Sequence, residues 1–513
     1  MSVHLPPRLA YPIILALGLV SALAFAPLFW LPLFWFAFGS GLLLIMQAET
    51  GRDALLRAWL WAFGHSFTSF HWVSWSAMTD PDLYWLVPVI LLLMPGAMCL
   101  FLLPALWSAW RWRSQLPLAL ALVVALWITF EALRAFLLSG FPWNSIGQIW
   151  ALQPAFAQSA AWGGPWLLSI FALLFGFGAL LLLQRRWRWA VGLSVVLPLL
   201  LFVSGTLRIT LLEPWLESTA ATGARLGLVQ ANVPTSSSVS SAQLREDYAK
   251  HLAVSRQLPA GLDAVIWPES GYDFFLNRDE EGRLATSNAL GNPPLWITGG
   301  PWLEAGDDEA GRPEQVWNTL YLVDGSGEIV DHYFKSHLVP FGEYVPRWAP
   351  VGRLIGHLPN FSAGPGMRSL ETEVLGNLGP LICYEDVFAH RVTEQGNRPD
   401  WLLSVTEDGW FGRFAGPQQH AVQAQMRAIE EGLPLVRLSN PGRSGLFDAF
   451  GRLAEESALG IPATLVLDIP KRLPPTLTSQ LRHGTMVLAL LLVWVSVGVI
   501  VLRSYDDRYE RAT

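Results

Sequence analysis

Eight runs of about twenty apolar residues, nearly free of charge, set the solvent this chain must fold in, because a stretch of that length matches the hydrocarbon core of a bilayer. Seven lie in the first 210 positions, at 8 to 27, 29 to 47, 55 to 77, 84 to 109, 116 to 138, 163 to 184 and 189 to 207. The eighth is 484 to 503. Of 513 residues, 52% are hydrophobic and 15% charged, against about 25% charged in an ordinary globular protein. A soluble fold has nowhere to bury that surplus, so a wholly cytosolic protein is excluded. The net charge of −7 leaves no basic face for a phosphate backbone, which argues against nucleic acid as a partner. The first run has one arginine ahead of it and continues into further spans, which predicts a retained helix rather than a cleaved signal peptide.

Orientation follows from the arginines. With the N-terminus in the cytoplasm, the inside segments carry Arg8, Arg52 with Arg57, Arg111 with Arg113, and Arg185 with Arg186 and Arg188; the tail adds Arg503, Arg508 and Arg511. The opposite loops, around Pro27, at 78 to 83 and at 139 to 162, contain no lysine or arginine. The positive-inside rule therefore predicts both termini in the cytoplasm and the large segment 208 to 483 outside it. The predicted organisation is a seven-helix membrane domain at 1 to 207, an extracytoplasmic domain at 208 to 483, an eighth membrane helix at 484 to 503 and a tail at 504 to 513.

Segment 208 to 483 is large enough to own a core. Strands are expected at 225 to 233, 262 to 269, 294 to 299, 319 to 323, 378 to 384, 402 to 406, 435 to 439 and 464 to 469, with helices at 242 to 257 and 417 to 431. Several strands are nearly continuous hydrophobic runs, as strands covered on both faces should be. The sum is a layered α/β fold.

Three of these segments end in reactive residues, at the edge where such folds usually present them. Val265-Ile266-Trp267-Pro268-Glu269 delivers a carboxylate at a strand end. Leu381-Ile382-Cys383-Tyr384-Glu385 delivers a thiol followed by a carboxylate, and a thiol at a strand-to-helix turn is a candidate nucleophile. His332-Tyr333-Phe334-Lys335 sets one of only three lysines in the chain among aromatics, which suggests a compact point charge in place of a generic surface cation.

Together Trp267-Pro268-Glu269, Tyr333-Phe334-Lys335 and Cys383-Tyr384-Glu385 resemble the three signatures of the nitrilase, or carbon-nitrogen hydrolase, superfamily. The eight-span layout is similar to one branch of it, the apolipoprotein N-acyltransferases of bacterial envelopes. So are Pro340-Phe341-Gly342-Glu343-Tyr344-Val345-Pro346, Trp410-Phe411-Gly412, Gly416-Pro417-Gln418-Gln419-His420 and Gly140-Phe141-Pro142-Trp143. The chain departs from that branch where a tryptophan usually follows the first strand of the domain, and where Thr406-Glu407-Asp408 stands for Ser-Asn-Asp. The resemblance implies an αββα sandwich inserted between the seventh and eighth spans. It implies a Glu269, Lys335, Cys383 triad that moves a fatty acyl chain from the sn-1 position of a phospholipid, phosphatidylethanolamine above all, to the amino group of a diacylglyceryl-apolipoprotein through a Cys383 thioester. On the same grounds Glu343 and Glu385 would hold Lys335 or a substrate amine, and Tyr384, whose backbone N–H joins Lys335 in stabilising the oxyanion, would shape the pocket. The implied location is the bacterial inner membrane, with the catalytic domain on the periplasmic side.

The loop 351 to 361 is unusually apolar, and Leu354, Ile355, Trp410 and Phe411 are expected to form a lid that keeps water from the thioester. No histidine spacing suggests a metal site, and no cofactor is implied. Glu131 and Arg134 share a helix face, and His65 and His71 read as interhelical hydrogen-bonders. Cys99, inside an apolar run, reads as a buried small hydrophobe. Nothing in the composition demands a partner subunit, so a monomer is expected. Two rival functions are a membrane-tethered amidase using the same triad and a transporter or sensor whose outer domain only binds ligand; the second leaves the Glu269, Lys335, Cys383 coincidence without a purpose.

Overall fold

The computed structural model describes residues 6–218, 223–236, 239–306, 314–346 and 360–510. They form two compact units, Met1–Leu211 with Thr476–Thr513, and Leu212–Pro475.

The first unit is helical. Among the described residues, four helices are long and apolar enough to cross a membrane: Leu116–Arg134, Ala160–Leu183, Trp187–Leu216 and His483–Ser504. The segment expected as one run at 84 to 109 is instead two helices, Leu86–Cys99 and Leu103–Arg111, bent by 48°. Pro104 accounts for the break, because its ring removes a backbone donor and clashes with the preceding turn. Arg8–Ala24 and Leu31–Met46 are shorter apolar helices. The run expected at 55 to 77 begins earlier, as Gly51–Phe70, and continues as a 3-10 segment, His71–Met78. Some polar side chains within this unit find partners near at hand. Arg57 pairs with Asp53 one turn back at 2.9 Å and donates to the Leu44 carbonyl at 2.7 Å. His65 Nδ1 lies 2.8 Å from Ser21 Oγ, and Glu131 Oε1 accepts the Ile146 N–H at 2.7 Å. Cys99 is buried.

The second unit contains two six-stranded sheets. The strands are β1 Arg225–Gln230, β2 Ala264–Ile266, β3 Leu295–Glu304, β4 Gln315–Asp324, β5 Ile329–Phe334, β6 Leu370–Thr372, β7 Gly376–Ile382, β8 Trp401–Thr406, β9 Leu435–Ser439, β10 Gly445–Phe447, β11 Leu453–Glu456 and β12 Ala463–Asp468. One sheet runs β12-β1-β2-β3-β4-β5 and the other β11-β10-β9-β8-β7-β6. In each, three central strands are parallel, β1 to β3 and β7 to β9, with antiparallel strands outside them.

Period-two alternation builds the layers. Leu226, Leu228, Ile266 and Ile297 of the first sheet share a core with Leu378, Ile382, Leu403, Val405, Val436 and Leu438 of the second, so the two sheets face each other. The alternate residues Val229, Val265, Trp267 and Trp296 point outward and pack with Val254 and Leu252 of the helix Ser241–Ser255. On the far side Leu381, Leu402 and Leu435 pack with Ala424 and Ala428 of the helix Ala415–Glu431. Each buried Leu or Ile contributes about 2 kcal/mol, and both faces of the central strands are used. All eight expected strands are present. Four more, β5, β6, β10 and β11, went unread because they are short or polar: every residue of β11 is exposed, as befits an edge.

Candidate functional site

Two antiparallel steps, β3 to β4 and β4 to β5, return β5 to the direction of β2 and β3. The carboxyl ends of β2 and β5 therefore lie on one edge of the first sheet, and there they release Glu269 and Lys335. The second sheet releases Cys383 after β7 and Glu407 after β8. The two edges meet, since the Glu407 N–H donates to Glu269 Oε2 at 2.9 Å. Gly299 of β3 lets the Glu269 segment pack close against its own sheet, because a Cβ there would collide with the Glu269 carbonyl.

Lys335 is the hub. Its Nζ lies 3.1 Å from Glu269 Oε1 and 3.0 Å from Glu343 Oε1, and its side chain is 1% exposed. Burial alone would lower the pKa of this ammonium, but Glu269 and then Glu343 outweigh it, and the pKa is raised. The same two carboxylate oxygens accept from Asn318 Nδ2 at 3.0 and 2.7 Å, and Glu343 Oε2 accepts the Val339 N–H at 2.8 Å. Asn318 was not singled out in the sequence. Its signal is positional: it lies on β4 two residues before Leu320 and four before Leu322, on the face that otherwise supplies the core between the sheets.

Cys383 opens a 3-10 turn, Cys383–Val387, with φ at +50°. A non-glycine residue there is uncommon and is held by its surroundings. Glu385 supplies the hold. Its Oε2 accepts the Ile382 N–H at 2.8 Å, and its Oε1 accepts from the Ser336 N–H at 2.7 Å, Ser336 Oγ at 2.8 Å, the His337 N–H at 3.2 Å and the Tyr333 hydroxyl at 2.7 Å. None of these bonds goes to Lys335, so Glu385 ties the cysteine turn to the backbone beside the lysine. Burial pushes the Cys383 thiol well above its ordinary pKa. Glu269 adds to the rise and Lys335 opposes it. The resting thiol is thus neutral, and both groups are close enough to act on its charge. Tyr384 is buried, its ring edge-on to Phe388 at 5.1 Å.

Beneath the turn lies a fully buried ionic cluster. His420 sits 2.6 Å from Asp408 Oδ1 and 2.8 Å from Asp386 Oδ1, and Arg437 bridges the other oxygens of the same two carboxylates at 2.7 and 3.0 Å. His420 Nε2 also lies 3.3 Å from the Cys383 carbonyl. Two carboxylates against Arg437 and an imidazolium sum to zero charge. Burial would lower the His420 pKa, but Asp386 and Asp408 outweigh both burial and Arg437 and raise it to about 9. The folded value lies above the unfolded one, so this contribution to stability is full below about pH 6.5 and is lost as pH rises through about 9. The thermal unfolding midpoint of the detergent-solubilised chain should therefore fall across that window, and the fall should be smaller in His420→Gln. An identical slope in both proteins would show the imidazole to be neutral. An arginine inside the apolar run Leu435-Val436-Arg437-Leu438 was the legible sign of this cluster.

Trp410 and Phe411 are half-buried. Phe411 packs against the core between the sheets and edge-on to His420 at 5.3 Å, while Phe414, three residues on, is 78% exposed. Leu354 and Ile355 lie outside the described residues. Among the described residues no group of three or more His, Cys, Asp or Glu is placed to hold a metal ion.

The apolipoprotein N-acyltransferase N-terminal domain family matches residues 17–178, and the carbon-nitrogen hydrolase family matches residues 225–471. The apolipoprotein N-acyltransferase of Rhodopseudomonas palustris is 32% identical over 95% of this chain and 94% of its own length. This chain belongs to the apolipoprotein N-acyltransferases. The Bradyrhizobium diazoefficiens relative is likewise 32% identical, over 96% of this chain and 94% of its own length. Among solved structures, an amidase from Nesterenkonia sp. is 18% identical, covering 49% of this chain and 92% of its own, with a TM-score of 0.35. Family membership makes the chain an acyltransferase of the carbon-nitrogen hydrolase superfamily and a membrane enzyme, in accord with its apolar helices.

Proposed function

We propose that this enzyme takes a fatty acyl chain from the sn-1 position of a phospholipid and places it on the α-amino group of the N-terminal diacylglyceryl-cysteine of apolipoproteins, the last step of lipoprotein maturation. The observation that carries this reading is the Lys335 ammonium held between Glu269 and Glu343 beside a buried thiol whose charge both Lys335 and Glu269 feel, in a chain related over its length to enzymes of that name.

Glu269 takes the Cys383 proton, and the sulfur attacks the ester carbonyl carbon. Lys335 and the backbone N–H of Tyr384 stabilise the resulting oxyanion; losing one such donor costs about 2.7 to 4 kcal/mol. The ester C–O bond then breaks, and the glycerol oxygen recovers the proton from Glu269 and leaves as lysophospholipid. In the second half the amine nitrogen attacks the thioester carbonyl, Glu269 accepts its proton, the C–S bond breaks and the thiolate is reprotonated. Glu343 and Asn318 keep Lys335 and Glu269 in register, and Glu385 keeps the two loops together.

The donor is phosphatidylethanolamine, and the chain works as a monomer in the bacterial inner membrane. Eight crossings are reached by counting the bent pair as one span and adding the shorter helices Arg8–Ala24 and Leu31–Met46 and the less apolar helix Gly51–Phe70. The last of these is about 30 Å long at 1.5 Å per residue. The arginine distribution puts both termini in the cytoplasm and domain 208 to 483 in the periplasm. Trp410 and Phe411, with Leu354 and Ile355, cover the acyl chain.

Purified protein weighed intact after incubation with phosphatidylethanolamine should gain one acyl mass, then lose it to a diacylglyceryl-cysteine peptide that carries the chain as an amide. Release of the chain only as free fatty acid would make the protein a lipase and end this reading.

A further inference from the structure

Glu407 presents a problem that the reaction scheme leaves unused. Its side chain is 6% exposed, yet among the described residues no ion pair reaches it. Oε1 meets the Thr235 hydroxyl after β1, and Oε2 accepts from Asn440 Nδ2 after β9 at 3.2 Å. The Asn440 orientation is fixed independently, since its Oδ1 accepts the Val233 N–H at 2.9 Å. The other charged groups that bear on Glu407 are carboxylates. Glu269 lies on its own backbone N–H, and Asp273 follows in the same loop. The charge of neighbouring Asp408 is taken up by Arg437 and His420, and Lys335 is committed to Glu269 and Glu343.

A buried carboxylate with only neutral donors, set against another carboxylate, is disfavoured by both desolvation and repulsion. Burial accordingly pushes the Glu407 carboxyl well above the usual range, with Glu269 and Asp273 adding to the rise. A second consequence concerns the reaction. In each half-reaction Glu269 takes up a proton as the oxyanion forms, so the net charge of the site is unchanged, and what a second carboxylate behind Glu269 would disturb is the placing of the base, which it would push away from the Glu407 N–H.

We propose that Glu407 is a positioning residue for Glu269 that works as a neutral carboxylic acid: its backbone N–H fixes one oxygen of the base while its side chain stays protonated, and its ionisation switches acylation off at alkaline pH. The proposal rests on Glu269 being the base.

The test is the rate of acyl-adduct formation by intact mass, from about pH 6 to 10, for the wild-type enzyme, Glu407→Gln and Glu269→Gln, with the wild-type and Glu407→Gln proteins also compared by infrared spectroscopy at neutral pH. In Glu407→Gln the alkaline fall should move up by about one pH unit or more, so that where the wild type has dropped to a tenth the variant runs about tenfold faster relative to its own neutral rate. The infrared difference should show a protonated-carboxyl C=O band in the wild type that the variant lacks. Superimposed pH profiles would overturn the proposal and leave His420 as the alkaline group. Absence of the band from the wild type would overturn it as well. Adduct formation in Glu269→Gln would instead sink the base assignment, and the infrared band would still decide the protonation of Glu407. If Glu407→Gln fails to fold, Glu407→Asn serves the same comparison.

Discussion

Cys383→Ala should gain no acyl mass from phosphatidylethanolamine at any pH, and transfer to a lipopeptide should fall by about a millionfold, the scale seen when a triad loses its nucleophile. The variant should remain folded. Cys383 packs in the core between the sheets, but its removal deletes only one sulfur, and the Glu385 bonds that shape the turn end on backbone N–H groups and on side chains other than Cys383. Loss of function without loss of stability is thus the expected signature. An adduct that persists in Cys383→Ala would place the nucleophile elsewhere and dismantle the proposed chemistry. Cys99, buried among apolar helices, is expected to leave the adduct untouched when replaced by alanine.

Lys335→Ala should do damage on two axes. Both half-reactions pass through an oxyanion that the ammonium faces, so both adduct formation and its discharge should slow by at least about a hundredfold. Stability should fall too, because Glu269 and Glu343 would be left sharing a buried site with Asn318 as their only common donor among the described residues. Removing one partner of a buried ion pair costs about 3 to 5 kcal/mol. Protonation of one carboxylate would recover part of that, making the loss smaller at acidic pH than at neutral pH. Burst kinetics of acylation, single-turnover discharge to a lipopeptide and thermal unfolding at two pH values separate these effects. Near-normal rates in both half-reactions would sink the oxyanion assignment, and an unchanged unfolding midpoint would sink the ion-pair account.

Much of the fold could be read from periodicity. The strands that carry Glu269, Cys383 and Glu407 are nearly continuous apolar runs, and a run covered on both faces has few other ways to fold. The membrane helices were less faithfully bounded. Hydropathy reports where lipid is tolerated, whereas the break after Cys99 and the 3-10 segment after Phe70 are set by a proline and by backbone hydrogen bonding. Glu269 and Cys383 were legible because they sit at the ends of readable strands, and Lys335 because it is one of three lysines in the chain and stands among aromatics. Asn318 was not, since one amide in a strand looks like any surface polar residue until its facing neighbours are known. Glu385 could be read as a carboxylate beside the thiol. Which groups it binds depends on Tyr333, Ser336 and His337, about fifty residues away in the chain.

By itself, then, the order of residues determined the solvent, the layered α/β class and the identity of the acid, the ammonium and the thiol, because burial patterns and local spacing are properties of short stretches. Only the tertiary structure decided how those groups share charge: that Lys335 serves two carboxylates at once, that Glu385 holds loops together, that His420 and Arg437 neutralise Asp386 and Asp408 beneath the cysteine, and that among the described residues no cation pairs with Glu407. Electrostatic energy depends on distances across the fold and on exclusion of water, and neither exists until the two sheets have closed on each other.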